Sequence, residues 1–410
     1  FFSVRQCAFA CPAYRTTSRS ALLFVAAAAV LLLVLALLLH DDRRVSTVRR
    51  RRKMRSSGGE PLSMLMLSEP PLWEAWRIDP AESLGSRASA PCRWAALLAG
   101  GGATAPPPAP VPGLGLPLAA RAASNGSLCL RPEGDLLSDH VVREGRWFEC
   151  DDLVPLLAIG ALAAGPGAVA LDVGANLGAC TMQLLLSTDA PVVAFEPGAA
   201  NLGLLSASVG ALALRHPPVR SRAVLLPLAL GDANSSFFLH PALGNAGHSV
   251  LGSSESAESL SRWDGSSFGS AERVVVRQAD DILWPRQLRR ERLPPPVAMM
   301  KIDVEGFECR ALHGMRRLLG AGAVKTVKVE VFESALRAQG CSGSRLQQLL
   351  LSSGFRLFQS LEQLALVGCG RVPGGAAADP DALQVVAVAE GLPYNLYGLH
   401  CRRGHAKSRT

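Results

Sequence analysis

Four short apolar runs in the middle of the chain each run into acids: Leu171-Asp172, Phe195-Glu196, Leu230-Gly231-Asp232 and Ile302-Asp303-Val304-Glu305. Carboxylates repel phosphate and accept hydrogen bonds, so such a set suits a cationic ligand or one rich in hydroxyl and amino groups. The first acid leads into Gly174-Ala175-Asn176-Leu177-Gly178, whose glycines permit a tight turn and close approach of a ligand to backbone N–H groups. A dinucleotide turn would read G-x-G-x-x-G, so that pyrophosphate could sit over a helix N-terminus; this one has only G-x-x-x-G, headed by Asp172. Glu196 stands about 20 residues beyond the turn, where an acid can accept both hydroxyls of an adenosine ribose. Leu230 could flank the adenine and Asp232 accept from its amino group. Taken singly, each acid reads equally well as a surface residue. Acids at four consecutive run ends are hard to explain by solvent exposure.

The elements that must position these residues are short apolar runs alternating with longer helical patterns. Residues 168–173, 192–195, 224–230, 297–302 and 324–331 read as buried strands, and 179–187, 199–215, 307–319 and 344–353 as helices. Strand and helix in alternation predict an α/β fold, a parallel Rossmann-like sheet with helices on both faces. Such sheets bind ligands at the carboxyl ends of their strands, where the acids stand.

In this order and spacing, LDVGANLG, FEP, ALGD and KIDVEGFE resemble the FkbM-type methyltransferases, with QADDIL (278–283) and VKVEVF (327–332) fitting the same pattern. The resemblance covers roughly residues 165–400 and has no counterpart in the first 125. It implies a methyltransferase domain over 166–402 that uses S-adenosylmethionine. Asp172, Gly174, Asn176 and Gly178 would hold the methionine moiety, Glu196 the ribose and Asp232 the adenine. It also implies a hydroxyl acceptor, expected on a glycan or glycolipid, whose proton must leave during attack. Asp303, Glu305 and His248 are the candidate bases; His248 opens a glycine- and serine-rich insert running to about Ser270 that could be an acceptor loop, or simply a surface loop. Glu330 could contact the acceptor, with Lys328 only an exposed neighbour on the same face. Two further readings are a catalytically inactive methyltransferase fold serving as a membrane-tethered binding module, and a nucleotide-dependent oxidoreductase, which the missing third glycine and Asp172 disfavour.

The formal charge of +8 belongs to the first 55 residues, and beyond them acids and bases nearly cancel, so nucleic acid is not an expected partner. Residues 1–20 form a tail, and 21–39 (ALLFVAAAAVLLLVLALLL) have no polar side chain and the length of a membrane span. Residues 40–125, a basic flank followed by Pro- and Gly-rich chain, read as a stem, with order resuming near Leu128; 126–165 are a helical lead-in and 403–410 a tail. The chain opens on Phe1 rather than Met, so an upstream piece is expected. The arginines after the span argue for a cytoplasmic domain. The sequons at Asn125 and Asn234, together with the stem, argue for a lumen of the secretory pathway, and we expect the latter. Ten cysteines show no zinc spacing, so no metal site is expected. Cys129 and Cys150 could pair in an oxidising lumen or remain free.

Overall fold

Runs such as VALDV, VVAF and VAMMKI are buried along almost their whole length, which is why they lack strict alternation and form the middle of a sheet. The computed structural model describes residues 92–97, 126–256, 267–286, 289, 293–369 and 393–401, all within the unit Glu69–Thr410. The expected span 21–39, both tails and nearly all of the expected stem lie outside the described residues. Among the described residues no helix is long and apolar enough to cross a membrane.

Strands are numbered along the chain: β1 (Arg93–Leu97), β2 (Gly126–Leu130), β3 (Val169–Val173), β4 (Val192–Phe195), β5 (Ala223–Leu226), β6 (Ala229–Leu230), β7 (Ser235–His240), β8 (Val250–Gly252), β9 (Glu272–Arg277), β10 (Val297–Ile302), β11 (Val324–Val331), β12 (Phe355–Phe358) and β13 (Tyr394–His400). The main sheet has seven strands in the order β12-β13-β11-β10-β3-β4-β5. It is parallel from β11 to β5, while β13 runs antiparallel to both its neighbours. The chain proceeds from β3 to β4 and β5, then crosses to β10 and β11 on the other side of β3. Strand order therefore reverses between β3 and β10, and the crevice beyond their carboxyl ends is where such sheets take ligands.

Alternation along each strand builds two cores. Ala170, Val192 and Ala194 face the helices Leu153–Ala164, Ala179–Ser187 and Ala199–Arg215. Leu171, Val173, Val193 and Phe195 face Glu308–Gly314, Arg316–Gly320 and Gly343–Ser352. Helices thus cover both faces, as the sequence predicts.

Several expectations need correction. The run 224–230 is two strands, because Pro227 lacks an N–H to continue a ladder; β6 leaves for a second, four-stranded sheet ordered β6-β9-β7-β8. The first part of the serine-rich insert is built into that sheet as β8, while 257–266 lie outside the described residues. Part of the expected stem is ordered: β1 pairs with β2 and is bonded to it through Cys92–Cys129. Residues 126–165 are not a separate lead-in, since Leu128, Leu130, Val141, Leu153 and Leu156 belong to the same core as β3 and β4. Cys129 does not meet Cys150, which is bonded to Cys180; with Cys309–Cys341 and Cys369–Cys401 there are four disulfides among the described residues.

Candidate active site

Beyond the carboxyl ends of β3, β4 and β10 lies a cavity of about 320 Å³. Gly174 makes its floor possible: φ is +83°, and a Cβ there would run into the Asp303 carbonyl. Only glycine lets the turns after β3 and β10 meet. The Asp303 N–H donates to Val173 O at 3.1 Å, and the N–H groups of Gly174 and Ala175 both donate to Phe195 O at 3.0 Å. Among the described residues the two non-glycine positions with positive φ, Asn176 and Glu305, both line the cavity, and such strain is concentrated at functional sites.

Glu196 ties the first two turns together. One carboxyl oxygen accepts from the Asn176 N–H and the other from the Gly198 N–H, each at 2.8 Å. Burial pushes its pKa up to about 7 despite these donors. Lys301, the penultimate residue of β10, is buried with its Nζ 3.1 Å from Asp303 and 3.7 Å from Asp172, and it donates to Gly174 O at 3.2 Å. Burial opposes its charge, but the carboxylates of Asp303 and Asp172 outweigh that and hold it protonated. Burial likewise acts to raise Asp303, yet Lys301 and a hydrogen bond with Glu330 leave its carboxyl below the ordinary range. Glu305 and Glu330 are pushed well up, first by burial and then by the charge of Asp303. Oxygens of Asp303, Glu305 and Glu330 come within 4.8 Å of one another, and these are the described residues spaced to hold a metal ion.

Of the residues expected at the site, Gly174, Asn176, Glu196, His248, Asp303 and Glu305 line the cavity. Three do not. Asp172 is fully buried behind the wall, where it accepts from Thr181 Oγ1 at 2.6 Å and faces Lys301, so it holds the framework instead of a ligand. Gly178 (φ +97°) turns the chain into the helix Ala179–Ser187 and packs on Leu205. Asp232 is about half exposed, 3.7 Å from Arg310, and stands outside the cavity. Lys328 is buried and not an exposed neighbour of Glu330; its partner is Asp152, at 3.1 Å. The sequence reading missed Lys301, although a lysine inside an apolar strand is a signal of a buried ion pair. It also missed His140, Trp147, Phe148 and Glu149, which line the cavity from a segment read only as a lead-in.

Glu196 and Glu308 are both raised to about 7 by burial. Each binds a proton more tightly in the folded than in the unfolded chain, so their contribution to stability is full below about pH 4.5 and is lost as pH rises towards 7. The melting temperature should fall over that interval, and Glu196→Gln should flatten the slope; an upward trend with pH would overturn this account.

No curated protein is significantly similar to the chain. Among solved structures, the methyltransferase FkbM of Methylobacillus flagellatus KT is 17% identical, with a TM-score of 0.30 over 47% of this chain and 39% of that one, so the chain spans well under half of that protein. The StiE O-MT segment is 11% identical, with a TM-score of 0.31 over 67% of this chain and 78% of that one. The plantazolicin methyltransferase BpumL, in complex with SAH, is 9% identical, with a TM-score of 0.26 over 62% and 88%. Residues 172–357 match the family model of the methyltransferase FkbM domain. That stretch supplies the turns after β3, β4 and β10 and, with Glu196, Asp303, Glu305 and Glu330, most of the carboxylates gathered there, and it is similar to the FkbM methyltransferase domain.

Proposed function

We propose that the chain is an S-adenosylmethionine-dependent O-methyltransferase acting on a hydroxyl of a glycan or glycolipid. One observation carries this reading: within an FkbM methyltransferase segment, the cavity at the β3/β10 reversal is walled by acceptor groups. Lys301 is its only lysine or arginine among the described residues, and it is committed to Asp303 and Asp172. Such a wall suits a sulfonium and ribose hydroxyls and offers nothing to a pyrophosphate. The donor set therefore fits the cofactor. Glu196, whose carboxyl lines the cavity between the first two turns, would hold the ribose. The Gly174–Asn176 turn would hold the amino-acid end, and Leu228 and Leu230 the adenine face. Bound there, S-adenosylmethionine would supply an electrophilic methyl group. Asp303, kept ionised by Lys301, takes the proton of the acceptor hydroxyl, while Glu305 and Glu330, pushed upward by burial and the charge of Asp303, line the same cavity. Calorimetry on the full chain should show S-adenosylmethionine binding that Glu196→Ala weakens by at least tenfold, the share of one or two charge-assisted hydrogen bonds. A wild type that binds nothing would end this reading.

The membrane anchor 21–39 and a luminal domain are part of the same proposal. Four disulfides support them, since such bonds persist in oxidising compartments, and so does the exposed sequon asparagine Asn234. In sealed microsomes the domain should resist added protease until detergent is present; digestion without detergent would put it in the cytosol.

A further inference from the structure

One wall of the cavity does not come from the matched segment 172–357. It comes from the helix Leu136–Glu144 and the 3₁₀ turn Phe148–Cys150, which contribute Leu136, His140, Trp147, Phe148 and Glu149. Three of these rings cluster edge to face: the His140 and Trp147 centroids lie 5.1 Å apart at 89°, His140 and Phe148 5.5 Å apart at 68°, and Trp147 and Phe148 4.8 Å apart at a tilt of 44°. Phe148 nevertheless keeps 52% of its surface exposed and Leu136 59%. A large ring left half in water beside a cavity is an unfilled contact surface, because removing its remaining apolar area from water is favourable. The turn is fixed and not adaptable. Cys150 is bonded to Cys180 in the first turn of the helix that follows Gly178, Trp147 Nε1 donates to Glu149 at 3.0 Å, and Lys328 Nζ donates to Glu149 O at 2.6 Å.

Resting on the methyltransferase reading above, we propose that this wall is the acceptor subsite and that it takes a saturated ring with one apolar face and a hydroxyl-bearing edge, that is, a pyranose. The apolar C–H face lies on Trp147 and Phe148, and the hydroxyl edge turns to Glu149, Asp303 and Glu330, which line the same cavity. A wholly apolar acceptor would desolvate those three groups without pairing them, which costs more than the ring contacts return. An acyclic polyol would pair the carboxyl groups and leave the rings uncovered. Only an acceptor with both surfaces satisfies both halves of the wall.

The test uses the full chain with tritiated S-adenosylmethionine and two sets of probes: pyranosides, from methyl glycosides to short oligosaccharides, and linear alkanols and alditols. S-adenosylhomocysteine binding is measured in parallel by calorimetry. Label should pass to pyranosides and not to the acyclic set. Phe148→Ala should raise the pyranoside KM about threefold to tenfold, the share of one aromatic contact, with kcat and S-adenosylhomocysteine affinity unchanged. Phe148→Tyr should restore it. Phe148 is half exposed, so its removal does not threaten the fold. Trp147→Ala, also partly in the core, is read only if its melting temperature holds. Preference for acyclic acceptors, no transfer to any pyranoside by a chain that binds S-adenosylhomocysteine, or an unchanged KM in Phe148→Ala would each overturn the proposal. A chain that does not bind S-adenosylhomocysteine fails earlier, at the methyltransferase reading.

Discussion

Asp303→Asn should lower kcat for methyl transfer by about 10²–10⁴-fold, the contribution of a positioned proton acceptor, while S-adenosylhomocysteine affinity stays within about twofold. Asparagine keeps the shape of the side chain and an oxygen that Lys301 Nζ, now 3.1 Å away, can still approach. What it loses is the ionised state that Lys301 maintains in a buried setting. Among the acids of the cavity, Asp303 is the one held below its ordinary pKa, so it stays a proton acceptor across the neutral range; burial and the charge of Asp303 push Glu305 and Glu330 the other way. The pH profile carries the same distinction. With Asp303 as base, kcat should be flat from about pH 5 upward, whereas a carboxyl raised by burial would move the ascending limb to higher pH. His248, the other residue placed at the cavity wall, is the internal control. If His248→Ala costs as much as expected here for Asp303→Asn, and the Asp303 variant keeps its rate, the histidine is the base.

The acids at the strand ends were legible because the strands are. Residues 169–173, 192–195 and 297–302 carry apolar side chains on both faces and so stand out as continuous runs, and the residues just after such a run in a parallel sheet lie at its ligand-binding edge. What the sequence did not carry was depth. Asp172 and Asp303 look alike in LDVG and KIDVEG, yet one faces Thr181 in the interior and the other the cavity. The difference is set by the pairing of β3 with β10, which puts Asp172 beside Lys301. Asp232 lies two residues beyond a two-residue strand of the second sheet, so its place was governed by β9, whose half-polar run Glu272–Arg277 gives a weak strand signal. The aromatic wall was invisible for a related reason. Nothing in the sequence around Trp147 reveals that Cys150 reaches Cys180, and without that bond the segment reads as a connector. The order of 93–97 depends in the same way on partners more than thirty residues away, β2 and Cys129.

Lys301→Met should destabilise the domain by about 3–5 kcal/mol, the cost of leaving a buried charge without its partner, and lower the melting temperature by roughly 10 °C. Lys301 is 6% exposed and Asp172 not at all, and one carboxyl oxygen of Asp172 has no hydrogen bond, so the ammonium at 3.7 Å is its main electrostatic support. Burial already raises the Asp172 pKa, and without Lys301 the cheapest outcome is to protonate it, so the deficit should shrink as pH falls. Methionine fills the volume of the lysine stem, which keeps a cavity from mimicking the electrostatic loss. The decisive comparison is a double-mutant cycle with Asp172→Asn. If the two residues support each other, the double variant should be more stable than the sum of the single losses predicts, by about 1–3 kcal/mol. Simple additivity would mean that Lys301 serves Asp303 alone. In that case Lys301→Met should lose activity like Asp303→Asn while melting close to wild type, which separates the residue that orders the framework from the one that tunes the base.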